Sequence, residues 1–187
     1  MIALVPDPAP SDAGISLVAR SLEGDEEAFT EIVRQHQSMV YGIAVHSIHD
    51  AALAEELAQE VFLQLYRHLG EIESDEHLVY WLRRVTVNRC IDESRKRRPL
   101  LLPLEEVSPV HATEREPDPF LQSNLRNTMA TLPLIQRTVV TLRYQEELAP
   151  GEIASLLELP LNTVRSHLRR ALSSLRRRLE NPTGVPS

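Results

Sequence analysis

Pro150-Gly-Glu-Ile-Ala-Ser-Leu-Leu-Glu-Leu-Pro-Leu-Asn-Thr-Val-Arg-Ser-His-Leu-Arg-Arg170 reads as two short helices with a tight turn between them. Glu152 to Leu157 makes the first, with Ile153, Ala154 and Leu157 on one face. Pro160 ends it, because proline lacks an N–H and disfavours helix at the residue before it. Asn162 or Thr163 can cap the second helix, since a short side-chain oxygen accepts an orphan backbone N–H. Val164, Leu168, Leu172 and Leu175 then recur at spacings of three and four, the mark of a buried stripe. Arg165, Arg169, Arg170, Arg176, Arg177 and Arg178 lie largely off that stripe. Small Ala154 lets two helices cross closely, and Val164 plugs the corner. This is the pattern of a helix-turn-helix, whose second helix enters the major groove of DNA. A helical hairpin with a solvated arginine face shares part of it. Glu158 stands at the turn position where many such motifs place glycine for a positive φ.

The 187 residues suffice for one medium domain or two small ones. Hydrophobic residues make up 42%, enough to bury a core, and helical spacing dominates over strand signals. With only 6 glycines and no G-x-x-x-x-G-K or G-x-G-x-x-G, a phosphate-cradling loop is excluded. The net charge of −7 sits badly with a DNA binder until its distribution is read. Residues 1–60 hold 11 acids against Arg20 and Arg34, whereas residues 162–187 hold six arginines against Glu180 alone. Screening limits the reach of a charge to about 8–10 Å, so the local basic surface is what a phosphate meets. Lys96 is the only lysine. Arginine suits bidentate contacts to guanine or phosphate, and a GC-rich genome gives the same bias. Cys90, the single cysteine, has no internal disulfide partner and fits an intracellular home. The start Ile2-Ala3-Leu4-Val5 lacks a preceding basic region and runs into Pro6, Pro8 and Pro10, unlike a signal peptide. No apolar run approaches a membrane span in length, so a soluble cytoplasmic protein is expected, with no direct membrane insertion.

The chain divides on composition. A proline-rich tail and the start of a first helix occupy residues 1–19; Ser11 to Leu22 can be that helix, with Ile15, Val18 and Leu22 inward. Asp25 caps the next helix, whose apolar face runs through Phe29, Ile32, Val33, Val40, Ile43 and Ala44. Asp50 caps another, from Ala51 to about Leu69, with Leu53, Leu57, Val61, Leu65 and Leu69 on one stripe. The acidic loop Gly70 to Asp75 leads into a long helix from Glu76 to Arg97. Its apolar side carries Leu78, Trp81, Leu82, Val85 and Ile91, and its C-terminal half grows basic, a placement the helix dipole favours on its own. Residues 99–119 hold five prolines and five acids and read as an extended linker. A second unit spans residues 120–180: Leu121, Leu125, Met129 and Leu132 space one helix, Pro133 interrupts, and Val139, Val140, Leu142 and Arg143 lie in the next. Residues 181–187 form a short tail. The expected fold is therefore all-α: two small helical domains joined by an extended acidic linker, the second containing the helix-turn-helix.

Four further motifs turn this outline into a resemblance. Gly24-Asp-Glu-Glu-Ala-Phe29 resembles the G-D-x-x-A-F opening of the extracytoplasmic-function (ECF) group of sigma-70 family factors. Ala54-Glu-Glu-Leu-Ala-Gln-Glu-Val-Phe-Leu63 is similar to that family's A-E-D-L-x-Q-E-V-F-L helix. Tyr80-Trp-Leu-Arg-Arg-Val-Thr-Val-Asn88 resembles its x-W-L-x-x-I-A-x-N. Thr131-Leu-Pro133 with Arg137, then Glu152-Ile-Ala154 and Thr163-Val-Arg165, looks like its second DNA-binding domain. The likeness covers roughly residues 20–98 and 120–180, and its order and spacing make it more specific than a helix-turn-helix alone.

The resemblance implies a role for each part. Residues 20–98 would dock on the β′ clamp helices of core RNA polymerase through Glu56, Gln59, Glu60 and Phe62. The long basic helix would read and open the minus-10 element of promoter DNA through Arg83, Arg84, Asn88 and Arg89. The loop Glu73 to His77 would hold a flipped base, and Trp81 would serve mainly as core. Residues 120–180 would meet the polymerase β flap and read the minus-35 element through Asn162, Thr163, Arg165, Ser166, Arg169 and Arg170. The linker would thread along the polymerase. An anti-sigma factor is the usual family partner. No cofactor, no metal and no bond chemistry are implied. Glu56 in place of the usual Asp keeps the charge but changes its reach, whereas Glu158 and Asn162 in place of frequent glycines, and a loop Glu71–His77 without G-x-x-x-F, are departures that bear on base preference.

Other classes compete. An enzyme would need a catalytic constellation, yet no H-E-x-x-H, C-x-x-C or E-x-x-H occurs; His46 and His49 have only Asp50 beside them, and Cys90 lies inside a helix as core. A one-component helix-turn-helix regulator acting without polymerase would need a sensor pocket or dimer helix in residues 1–98, where a basic helix and docking motif stand instead. A helical adaptor that binds only protein would not need the arginine-rich recognition helix.

Overall fold

In a computed structural model of the chain, residues 16–97, 125 and 127–180 are described. They form α-helices and a 3-10 turn at Leu69–Glu71, with no strand among the described residues. The first domain comprises α1 (Leu17–Leu22), α2 (Glu26–Ile48), α3 (Ala51–His68) and α4 (Asp75–Lys96). The second comprises helical residues 127–130, α5 (Leu134–Tyr144), α6 (Pro150–Leu157) and α7 (Leu161–Glu180). The expected proline-rich tail, the linker over 99–119 and the end from Asn181 lie outside the described residues, as do Ile15 and Leu121.

Every helix of the first domain starts on its own side chain. Ser16, Asp25, Asp50 and Ser74 accept from the backbone N–H of Val18, Ala28, Leu53 and His77 at 3.0–3.1 Å. Each removes an orphan donor, worth about 1 kcal/mol. The α3 stripe is buried at Leu53, Leu57, Val61, Leu65 and Leu69, and its lower half packs with Ile32 and Val40 of α2 and Leu78 and Leu82 of α4. Burying each such side chain contributes about 1.5–3 kcal/mol. Trp81 and Val85 pack on this core half-buried. The buried side of α4 also includes Cys90, expected as core, and Thr86 and Val87, which the sequence pattern did not single out. Thr86 becomes apolar in effect by donating its hydroxyl to the Leu82 carbonyl at 2.6 Å. Leu22, expected inward, is 53% exposed, because α1 has only six residues and buries Val18 instead.

The second domain keeps the helix-turn-helix with corrections. Ile153, Ala154 and Leu157 of α6 pack on one cluster as expected, and Leu156, which was not expected there, is buried beside Ile153. Neither Asn162 nor Thr163 caps α7: the helix starts a residue earlier, and the Pro160 carbonyl accepts from Thr163 and Val164 N–H at 2.9 and 3.2 Å. Its stripe runs through Ala171 rather than Leu172, which is 41% exposed. The decision is made across the interface, where Met129, Leu132 and Val140 pack against Ala171 and Leu175. Glu158 does adopt the left-handed conformation (φ 53°, ψ 39°), and Leu159 N–H closes the turn on the Ala154 carbonyl at 3.0 Å.

The domains are not independent. Ile43 of α2 and Val87 of α4 share a buried cluster with Val139 and Leu142 of α5, Ile153 and Leu156 of α6, and Val164 of α7. At one point Gly42 of α2 leaves room for the side chain of Gln145, just past α5: a Cβ built on Gly42 would lie 2.3 Å from its Nε2.

Candidate nucleic-acid interface

On α7, Asn162, Arg165, Arg169 and Arg170 are exposed, while Thr163 and Ser166 are half-buried. Arg176, Arg177 and Arg178 extend the exposed basic surface toward the C-terminal end of the helix. Among the described residues none of these six arginines enters an ion pair, so their planar forks point to solvent and are available to phosphate and guanine. The apolar residues Val164, Ala171 and Leu175 hold the helix down on its opposite side.

The α4 residues are arranged differently. Asn88 is exposed. Arg89 donates through Nε and Nη2 to Oε1 of Gln64 at 3.3 and 3.0 Å, and lies 3.6 Å from Glu60. Arg83 donates through Nε and Nη2 to Oε2 of Glu146 at 3.1 and 3.0 Å, and the Glu146 side chain is only 7% exposed. Arg84 pairs with Glu158. Three of the four are thus engaged, two of them by acids of the second domain. At the end of α4 the basic run is also partly neutralised, with Arg97 between Asp50 and Glu93 at 3.2 Å. The Leu53 N–H first, and Arg97 after it, hold the Asp50 carboxyl below its ordinary range. The loop before α4 is tied back by Glu73 N–H donating to His77 Nδ1 at 3.2 Å.

On α3, Glu56 and Gln59 are exposed and Glu60 is half-buried, but Phe62 is buried in the core. A surface partner therefore does not meet the Phe62 ring first. The apolar groups on the outside are Leu63 (58% exposed) and Tyr66 (66% exposed), which sequence reasoning missed. Glu56, Gln59, Leu63 and Tyr66 recur at spacings of three and four, so they share a face. That apolar pair on an otherwise polar face was the available signal. Tyr66 is steadied by an edge contact with Phe29, ring centroids 5.1 Å apart.

Cys90 is fully buried and burial pushes its thiol up to about 12, which keeps it in the inert thiol form. Between α4 and α6 lies a cleft of about 570 Å³ whose lining includes Tyr80, Arg83, Leu148 and Leu156. His46 turns its Nδ1 to the Gly42 carbonyl at 2.7 Å. Among the described residues no cluster of three His, Cys, Asp or Glu could hold a metal ion, and no helix is long and apolar enough to cross a membrane.

Two helical domains, one with an open arginine helix on a helix-turn-helix and one with a second basic helix, define a DNA-binding protein. Family models agree on both halves: Sigma-70 region 2 matches residues 32–99 and Sigma-70, region 4 matches residues 122–175. The chain belongs to the sigma-70 family, in its extracytoplasmic-function group. It is 32% identical over 181 residues to the RNA polymerase sigma-H factor of Pseudomonas aeruginosa, covering 88% of this chain and 92% of that one. It is 30% identical over 173 residues to the ECF RNA polymerase sigma factor SigW of Bacillus subtilis, covering 85% and 92%. Among solved structures, the fold resembles CnrH in complex with the cytosolic domain of CnrY (TM-score 0.65, 21% identity, 89% of this chain and 97% of that one). It also resembles the sigma factor RpoE of Bartonella quintana in complex with the anti-sigma factor NepR (TM-score 0.68, 18% identity, 82% and 98%). The protein is a sigma factor that binds core RNA polymerase and promoter DNA in transcription initiation, and a one-component regulator is not favoured. Sigma factors as a class are non-enzymatic initiation factors.

Proposed function

We propose that the two arginine helices divide the promoter between them. On α7, Arg165, Arg169 and Arg170 with Asn162, Thr163 and Ser166 read the minus-35 element. On α4, Arg83, Arg84, Asn88 and Arg89 read the minus-10 element and hold its opened strand, with the loop Glu73–His77 taking an unstacked base. Glu56, Gln59 and Glu60 of α3, joined by Leu63 and Tyr66, dock on the β′ clamp helices, and the second domain meets the β flap. The chain itself performs no bond chemistry and works in the cytoplasm. Two proteins of the same fold were solved with the cytosolic domain of CnrY and with the anti-sigma factor NepR, and a protein inhibitor of that kind is proposed here too.

The observation that carries this is the face of α7: exposed arginines with no ion pair among the described residues, on the second helix of a helix-turn-helix. Tethering two weak readers raises the effective concentration of the second once the first is bound. The test is co-elution of the purified chain with core RNA polymerase at moderate salt, followed by footprinting on promoters selected with that complex. A stoichiometric complex protecting two separated elements is expected. Arg169→Ala should then weaken protection at the upstream element alone, since a lost base contact costs about 1–3 kcal/mol. Duplex binding by the free chain without any polymerase complex would overturn the division of labour.

A further inference from the structure

On the side of α4 that faces α3, Arg89 is held by an amide. Its Nε and Nη2 both donate to Oε1 of Gln64, at 3.3 and 3.0 Å. A guanidinium carries only donors, so it is the amide oxygen that must face it. Helix packing fixes this meeting: Val61, Leu65 and Leu82 are buried together on one side of it, and Leu57 and Cys90 on the other. Glu60, one turn before Gln64, lies 3.6 Å from Nη1 of Arg89. The Arg89 and Glu60 side chains are 41% and 45% exposed, so water and salt screen that pair. They open on a polar cleft of about 220 Å³ between α3 and α4, lined also by Glu56, Asp92 and Lys96.

The other ion-paired cations of this helix are held differently. Arg83 and Arg84 are met by Glu146 and Glu158, Arg95 by Asp92, and Lys96 and Arg97 by Glu93. Among the described residues, Arg89 alone of these has a neutral group as its closest partner. A carboxylate in that place would fix the fork and cancel its charge. An amide fixes the fork and leaves the charge whole, with donors to spare for a phosphate.

We propose that Gln64 is a positioning residue for minus-10 reading: it aims Arg89 at the DNA strand while keeping the guanidinium fully charged. The proposal rests on the reading of Arg89 as a minus-10 contact. It also ties that contact to the docking face. Glu60 is assigned to core polymerase, and it is the one carboxylate in ion-pair range of Arg89 among the described residues. Once polymerase engages Glu60, Arg89 is left with its neutral partner, and its whole charge serves the strand.

The test uses the full chain bound to core RNA polymerase, with a fluorescein-labelled single strand as probe. The strand copies the minus-10 element of a promoter selected with the parent complex. Gln64→Glu keeps the acceptor and the shape and adds a charge. Its strand affinity should fall roughly tenfold, as when one charge-assisted hydrogen bond is weakened. The slope of log affinity against log salt should shrink by about 0.7, the share of one phosphate on a single strand. Co-elution with core polymerase should match the parent, and the urea midpoint should stay at the parent value or above it. A residue that only packs would move the midpoint and leave the salt slope alone. In an Arg89→Ala chain, Gln64→Glu should change nothing further. Parent affinity and slope in Gln64→Glu, beside a weakened Arg89→Ala, would overturn the positioning and leave Arg89 as a reader. Parent affinity in Arg89→Ala would instead overturn the minus-10 assignment of Arg89 itself. An equal loss from Gln64→Glu with and without Arg89 would be plain repulsion of the strand, and lost co-elution would make Gln64 a docking residue; either result sinks the proposal.

Discussion

The guanidinium of Arg137 on α5 donates to the backbone carbonyl of Ser47, one of the last four carbonyls of α2. A second-domain side chain thereby completes the end of a first-domain helix, whose own N–H groups have run out. The same guanidinium holds the Ala130 carbonyl at 3.0 Å. Burial brings its pKa down to about 10, which leaves it cationic at neutral pH and suited to the negative end of the α2 dipole.

Removing that group takes the partner from the part-buried Ser47 carbonyl, while the exposed Ala130 carbonyl turns to water. Arg137→Met should lower stability by about 1–3 kcal/mol, the cost of buried polar groups left unmade. Arg137→Lys should recover only part of it, since an ammonium lacks the planar fork. Urea titration checks both: the midpoint should fall while the slope stays unchanged.

Asp50 ties a helix start to the end of α4 through Leu53 N–H and Arg97. Asp50→Ala should cost about 1 kcal/mol at neutral pH. The Asp50 carboxyl titrates below its ordinary 3.8 in the folded chain, so it binds fewer protons folded than unfolded. Its contribution is whole above 3.8 and disappears as the pH drops through the lower folded value. The stability difference between parent and variant, followed from neutral pH downward, should close in that acidic window and nowhere else.

Cys90 should resist alkylation at pH 8 in the native chain and react fully in denaturant, because it is inaccessible and its thiol titrates near 12. Labelling measured across a urea series should follow unfolding of the first domain. Rapid native labelling would contradict its place among Ala44, Leu53, Ala54 and Leu57.

Neighbours Phe62 and Leu63 should fail in opposite ways. Phe62→Ala opens the core and should cost about 3–5 kcal/mol, with a lowered Tm. Leu63→Asp should leave Tm near the parent value and weaken co-elution with core polymerase. Thermal melts beside gel filtration separate the two, and a Leu63→Asp chain that still co-elutes fully would move the docking face elsewhere.

Local chemistry was legible in the chain. Asp25 and Asp50 are caps as their positions suggest, and the α3 stripe is buried as spaced. Glu158 announced a left-handed turn by standing where glycine is usual. What escaped depends on neighbours distant in sequence. Ala171 or Leu172 could each continue the α7 stripe until Met129, Leu132 and Val140 chose between them. Phe62 and Leu63 are adjacent apolar residues, and only the packing of α3 decides which is inward. Thr86 hid because it looks polar until its hydroxyl is bonded to the turn below. Asn162 failed as a cap because Pro160 had already supplied the first acceptor. The contacts of Arg83 and Arg84 with Glu146 and Glu158 had no local signature at all.

The helix caps of the first domain bear on how the protein is made. Ser16, Asp25, Asp50 and Ser74 all act on residues within three positions of themselves. Synthesis proceeds from the N-terminus at about 5–20 residues per second, and domains fold as they emerge. The four helix starts of that domain therefore have their caps before Leu134 reaches the peptidyl-transferase centre, and only the end of α2 waits for Arg137. The cost is a bare patch at Ile43 and Val87, which stays wet on the ribosome until the last helices arrive to cover it.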